Sequence, residues 1–297
     1  MRAPFRLGID LGGSKTEIIA LEGSDERLRH RLPTPQGDYR ATLHTIVQLV
    51  SEAERQLGDS GSIGIGIPGT RSPDHGRIKN ANSTCLIGQD LQGDLEQLLQ
   101  RPVRLANDAD CFALSEATDG AGAGAASVFG VILGTGVGGG IVIHGRLLSG
   151  PNAITGEWGH NVLPWRNAED GPARRCYCGL DDCIETFLCG PGWAARSDLG
   201  LNATQLAEAA QRGEAPAVAA LQRYCDQLAR ALASVINVID PEVIVLGGGL
   251  SNMPALYREV PRLLGRHVFS DRVNTRLVQA RHGDSSGVRG AAWLWPE

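Results

Sequence analysis

Residues 5–21 read Phe5-Arg6-Leu7-Gly8-Ile9-Asp10-Leu11-Gly12-Gly13-Ser14-Lys15-Thr16-Glu17-Ile18-Ile19-Ala20-Leu21. Leu7, Ile9 and Leu11 alternate up to Gly12-Gly13, and Ile18, Ile19 and Leu21 resume after it, so the stretch predicts strand, glycine turn, strand. Glycine at such a turn lets backbone N–H groups approach phosphate oxygens that a Cβ would hold off. Asp10, at the end of the first strand, can hold Mg2+ directly or through water, while Lys15 and the hydroxyls of Ser14 and Thr16 can reach phosphate. The segment is not a P-loop, because Ser14 separates Gly13 from Lys15 and a strand rather than a helix follows. Taken alone, it also fits a plain β-hairpin turn.

Two further glycine clusters strengthen the phosphate reading. Residues 128–143 repeat the pattern of strand, turn and strand. Gly134, Gly136 and Gly139 match the dinucleotide fingerprint G-x-G-x-x-G, with Glu157 at about the spacing of a ribose-binding acid. That fingerprint must open a helix, whereas Ile141-Val142-Ile143-His144 reads as strand. A second phosphate-binding hairpin around Gly134-Thr135-Gly136 is the better reading. Gly247-Gly248-Gly249, after a buried strand at 243–246, suits a nucleotide base or ribose lying flat on the backbone.

Between the clusters, strands and helices alternate. Asp38 and Asp90 read as helix caps, 63–67 and 103–106 as strands, 217–239 as the longest amphipathic helix, and 288–295 as a closing helix. The alternation implies an α/β fold, and the paired hairpins imply two related lobes. The small-residue stretch 120–126 marks the boundary. It separates residues 1–117 from 118–283, with 284–297 packing back on the first lobe.

Composition narrows the function. In 297 residues, 42% are hydrophobic and 21% charged, ordinary for a globular protein. The net charge of −5 offers no broad basic surface for a nucleic-acid partner. No apolar run is long enough to span a membrane, and residues 1–6 enter the first strand without a leader pattern. Of 7 cysteines, Cys176, Cys178 and Cys183 crowd into one short segment, which suits a reducing, cytoplasmic setting and a metal site. With His160 upstream they make the donor set of a closed, structural Zn2+ site. Cys85, Cys111, Cys189 and Cys225 lie among apolar neighbours and read as core.

Asn107-Asp108-Ala109-Asp110 follows a strand, where α/β folds gather ligands. A carboxylate there can take the proton from a hydroxyl attacking the γ-phosphate of ATP. The competing role for Asp108 is helix capping, and Asp110 reads as a solvated or capping residue.

Together these residues resemble the two-lobed actin/hexokinase/Hsp70-like ATPase fold, with its ribonuclease H-like motif, and specifically the ROK family of sugar kinases. Ser14 stands where that family usually has Thr. Glu157-Trp158-Gly159-His160 and Cys176-Tyr177-Cys178-Gly179-Leu180-Asp181-Asp182-Cys183-Ile184-Glu185 are similar to its Glu-x-Gly-His and Cys-x-Cys-Gly-x-x-Gly-Cys-x-Glu motifs, with Asp182 replacing the second glycine. The resemblance implies ATP and sugar in the interlobe cleft and Asp108 as catalytic base. It further implies Asn107, Glu157, His160 and Glu185 on sugar hydroxyls, His160 also on the metal, and a homodimer. Gly69, Asn82 and Thr84 are added as sugar contacts from loops after the first-lobe strands. Segments 30–35, 79–84 and 282–290 are similar to bacterial fructokinases of the mannofructokinase type. The expected reaction is therefore phosphorylation of a hexose 6-hydroxyl, D-fructose first. Glucose, mannose, allose or an N-acetylated hexosamine are the alternatives, and a non-catalytic sugar-sensing regulator is a more distant one. ROK repressors carry an N-terminal DNA-binding domain, for which the early position of Asp10 leaves no room.

Overall fold

The computed structural model describes residues 5–81 and 83–296. The chain opens with an antiparallel meander of β1 (Phe5–Leu11), β2 (Lys15–Glu22) and β3 (Asp25–Pro33). Helix α1 (Tyr39–Leu57) follows, then β4 (Gly61–Ile67), a small hairpin of β5 (Thr70–Arg71) and β6 (Ile78–Lys79), α2 (Leu91–Leu99) and β7 (Val103–Asn107). The first sheet has the order β3-β2-β1-β4-β7, with β4 parallel to both β1 and β7. Helix α3 (Asp108–Thr118) leads to β8 (Ser127–Leu133), β9 (Val137–Ile143) and β10 (Arg146–Leu147). Helices α4 (Glu185–Leu188), α5 (Gly190–Ser197), α6 (Ala203–Gln211) and α7 (Ala215–Ile239) come next, followed by β11 (Val243–Gly247), α8 (Pro254–Leu264), β12 (Arg276–Gln279) and α9 (Ser286–Trp293). The second sheet has the order β10-β9-β8-β11-β12. Each sheet thus pairs an antiparallel glycine hairpin with a parallel strand beside its first member.

The side-chain alternation in β1 explains its packing. Leu7, Ile9 and Leu11 are buried with Ile46, Leu49 and Val50 of α1 on one face. Gly8 faces the other way, where a Cβ would lie 2.1 Å from the carbonyl oxygen of Val288. Gly64 on β4 meets α9 in the same manner, 1.9 Å from the Ala291 oxygen. Two missing side chains therefore let the closing helix lie directly on the first sheet.

Asp38 and Asp90 cap α1 and α2 through the N–H groups of Ala41 and Gly93. In the second lobe, Leu228, Leu232 and Ile236 of α7 join Val131, Leu133, Ile244 and Leu246 in one core. Helix α3 leaves β7 and packs Phe112, Ala113 and Leu114 against Val128, Val142, Val243 and Val245 of the second sheet. The lobes also touch across the cleft, where Lys79 Nζ donates to the Asn152 carbonyl at 3.1 Å. Among the described residues no helix is long and apolar enough to cross a membrane.

Candidate active site

The β1–β2 turn is tied from below. Gly12 N–H donates to the Lys15 carbonyl at 3.0 Å, and the Thr34 hydroxyl donates to the Gly12 carbonyl at 2.8 Å. Gln36 Nε2 donates to the Gly13 carbonyl. Gly13, Ser14 and Lys15 stay exposed. Thr16 does not match its expected role, because it is wholly buried and its hydroxyl pairs with that of Thr34 at 2.8 Å. It fixes the turn from within the sheet.

The β8–β9 turn is built the same way. Gly134 N–H donates to the Gly136 carbonyl at 3.0 Å, and Gly190 N–H donates to the Gly134 carbonyl at 2.7 Å. Thr135 is exposed at its tip. The segment after Gly136 is the strand β9, so no helix opens there, as the rejected dinucleotide fingerprint would need. Thr135, Pro191, Thr204, Gly249 and Met253 line an open groove of about 1350 Å³ beside this turn. Gly249 is exposed on this groove. Gly247 does not match its expected role, for it is buried and a Cβ there would lie 2.4 Å from the Phe112 ring. Gly248, at φ 80°, fits closely over the Leu133 carbonyl.

Between the hairpins lies a group of acids. Asn107 is the N-cap of α3, its Oδ1 accepting from Ala109 N–H at 2.9 Å while its Nδ2 donates to the Gly69 carbonyl at 3.1 Å. This double use fixes the loop after β4 to the start of α3. Asp108 also accepts from Ala109 N–H, at 2.8 Å, so it shares in the cap while its side chain is open to the cleft. The surrounding protein raises its carboxyl above the ordinary range, Glu157 adding to the effect and the Ala109 N–H opposing it. Asp10 is pushed up to about 6, first by burial and then by the charges of Asp108 and Glu17, with Lys15 and Arg31 opposing. Asp110 is pushed up to about 7 by burial, then by Glu157 and Asp108. Its Oδ1 is buried with no hydrogen-bond partner among the described residues and the residue is half-buried, so it is not the cap and only partly solvated. Clustered acids with raised proton affinity favour a bound cation or a proton-accepting role.

The cysteine segment folds against this cluster. The donor atoms of His160, Cys176, Cys178 and Cys183 all lie within 4.8 Å of one another. Cys176 Sγ is 3.6 Å from His160 Nδ1, and Cys178 Sγ is 3.5 Å from Cys183 Sγ. Three thiols and one imidazole converging in this way fit a tetrahedral metal site. Asp182 sits at φ 57°, the left-handed backbone that glycine adopts easily, which explains how it takes the place of a glycine. Its carboxylate accepts from Arg174 N–H at 3.0 Å and pairs with Arg166, securing the turn. Behind the loop, Arg230 of α7 grips Asp170 with two nitrogens, at 2.5 and 3.0 Å, and both side chains are buried.

The remaining candidates divide. Glu185, at the start of α4, accepts from Val137 N–H at 2.9 Å beneath the second turn, and Glu157 stands near Asp108 and Asp110. His160 Nε2 meets the Tyr177 hydroxyl at 3.0 Å, so Tyr177, absent from the sequence-based site, stands beside the metal cluster. Gly69, at φ 98°, contributes its carbonyl to Asn107. Thr84 lines a small pocket of about 210 Å³ with Gly13 and Thr34, beside the first hairpin. Asn82 lies outside the described residues.

Two lobes, each with a glycine hairpin and with an acid cluster between them, define the hexokinase-like α/β ATPase fold. The chain belongs to the ROK family, whose pattern matches residues 6–297. It is 43% identical over 296 residues to an N-acetyl-D-glucosamine kinase of Yersinia enterocolitica, covering 97% of this chain and 98% of that one. An N-acetyl-D-glucosamine kinase of Escherichia coli is 41% identical over the same length, covering 97% and 98%. Among solved structures, the ROK hexokinase of Thermus thermophilus superposes with a TM-score of 0.86 at 30% identity, covering 97% of each chain.

These relatives do not carry the fructokinase expectation. Of the three segments that suggested it, 30–35 and 282–290 bind protein groups. His30 meets Gln56, Thr34 meets Thr16, and His282, Ser286 and Arg289 meet α3. They serve packing and report little about the sugar.

Proposed function

We propose that this protein transfers the γ-phosphate of ATP to the 6-hydroxyl of N-acetyl-D-glucosamine. What supports the chemistry is Asp108, exposed at the first turn of α3 and close enough to Asp10 and Asp110 for its charge to raise both carboxyls. The choice of sugar rests on the 43% identity to N-acetyl-D-glucosamine kinases along the whole chain. That identity favours an N-acetylated hexosamine over fructose.

Asp108 accepts the proton of the sugar hydroxyl as its oxygen approaches phosphorus. Its proton affinity, raised by the surrounding protein and by Glu157, makes it a stronger base than an ordinary carboxylate. Asn107 holds the loop after β4 in place, donates to the Asp108 carboxyl, and keeps one lone pair of its Oδ1 for sugar. Glu157, Glu185 and His160 supply acceptors and a donor to ring hydroxyls. Gly13, Ser14 and Lys15 on one side, and Thr135 and Gly136 on the other, present N–H groups and hydroxyls to the phosphates, while Gly12 and Gly134 close the two turns with their own N–H groups. Gly249 lines the groove for the nucleoside, with Gly248 holding the turn beneath it over the Leu133 carbonyl. Asp10 would hold Mg2+, whose charge offsets that of the phosphates. His160, Cys176, Cys178 and Cys183 would hold Zn2+, which makes the sugar wall rigid.

Asp108→Asn is the direct test of this chemistry. It should lower kcat by about a thousandfold or more, at the upper end of a general-base contribution, with sugar affinity kept within about threefold. Undiminished turnover would remove Asp108 from the role.

A further inference from the structure

The chain passes between the lobes twice, from α3 to β8 over residues 119–126 and from β12 to α9 over residues 280–285. Both passages meet at Glu116, a wholly buried side chain near the end of α3. Its Oε2 accepts from Ala121 N–H at 2.8 Å and from Arg281 N–H at 3.0 Å. Its Oε1 accepts from His282 N–H at 3.1 Å and from the Ser286 hydroxyl at 2.7 Å. One carboxylate therefore ties the first passage to the second and to the start of α9. Gly120 leaves the room for this, since a Cβ there would lie 2.3 Å from Oε2. Asp119 adds an outer pair of contacts, accepting from His282 Nε2 at 3.0 Å and pairing with Arg289.

Both pinned helices reach the acid cluster, α3 from its far end and α9 from the residue that follows the pinned Ser286. Helix α3 begins at Asp108, and a Cβ on Gly287 of α9 would lie 3.6 Å from Asp10 Oδ2. One turn on from the pin the helices are in direct contact, a Cβ on Gly290 falling 1.6 Å from the Cys111 carbonyl oxygen. We infer that Glu116 is the pin of the interlobe hinge, a positioning residue that sets the register of Asp108 against Asp10 without touching substrate. The inference rests on the proposed kinase reading for its effect on turnover, and on geometry alone for its effect on lobe closure. Glutamine cannot replace this carboxylate, because its NH2 would point at two donors that now have an acceptor.

The test compares wild type with Glu116→Gln and with Ser286→Ala, which removes one donor and keeps the carboxylate. Steady-state kinetics give kcat and both KM values, calorimetry gives ADP affinity, and solution X-ray scattering gives compaction on adding N-acetyl-D-glucosamine. Glu116→Gln should lower kcat by about tenfold, the weight of one charge-assisted hydrogen bond, and abolish sugar-induced compaction. ADP affinity should stay within about twofold, since its groove lies within the second lobe. Ser286→Ala should show the same pattern at about threefold. A merely structural role would lower the melting temperature while leaving kcat and compaction of the folded protein unchanged, and that result overturns the inference. If Glu116→Gln fails to fold, unchanged kcat and compaction in Ser286→Ala overturn it instead. A wild type that compacts with sugar yet turns over none would sink the kinase reading, and compaction in the variants would still decide the hinge.

Discussion

Asp110 is the most informative single carboxyl to remove. Burial and the charges of Glu157 and Asp108 push it from 3.8 to about 7, and its Oδ1 has no partner among the described residues. In the unfolded chain the carboxyl has released its proton by about pH 5, whereas in the fold it keeps the proton until about pH 7. The folded state therefore binds more protons across that window, and stability falls as pH rises through it. A displacement of about 3 pH units corresponds to about 4 kcal/mol, and partial contact with solvent reduces this to about 2 kcal/mol. Asp110→Asn removes the penalty. At pH 8 the variant should melt about 4–8 °C above wild type, and near pH 4 the gap should close. Melting curves by circular dichroism at pH 4, 6 and 8, at constant ionic strength, read this difference. A gap that is constant with pH, or larger in acid, would refute the reasoning.

Three other outcomes follow from the packing and the metal cluster. Arg230→Ala leaves Asp170 buried without its charge partner, so unfolding should become easier by about 3–5 kcal/mol in urea titration, while Arg258→Ala at the surface should cost under about 1 kcal/mol. Gly290→Ala drives a methyl into the Cys111 carbonyl and should destabilise by about 3 kcal/mol or prevent folding, as read by soluble yield and melting temperature. Protein purified without chelator should contain about one zinc per chain by elemental analysis. Cys183→Ser should lose the metal and raise the sugar KM, and a metal-free wild type of full activity would contradict the ligand assignment.

Much of this architecture is visible in the chain itself, for identifiable reasons. Leu7, Ile9 and Leu11 alternate because β1 buries one face, and Asp38 and Asp90 cap helices by a local rule. The cysteine cluster shows because its donors are close in sequence. Strand β3 is harder to see, since Arg29 and Arg31 stand where apolar residues would signal a strand, and both pair with Glu17 across the sheet. Thr16 and Gly247 look like ligand groups because hydroxyls and glycines serve packing as readily as phosphate. Glu116 gives no local signal at all, since three of its four donors lie about 165–170 residues away. The sugar is hidden for a related reason: a few side chains set it, and they are held by backbone that many ROK proteins share.

The central claim is tested most directly by coupled ADP-release kinetics on N-acetyl-D-glucosamine and D-fructose side by side, at equal ATP and Mg2+. The kcat/KM should be at least about a hundredfold higher for N-acetyl-D-glucosamine, as expected where a sugar's polar groups are matched by the site. Equal or greater efficiency on fructose would contradict the sugar assignment, and no ADP release with any hexose would contradict the kinase itself.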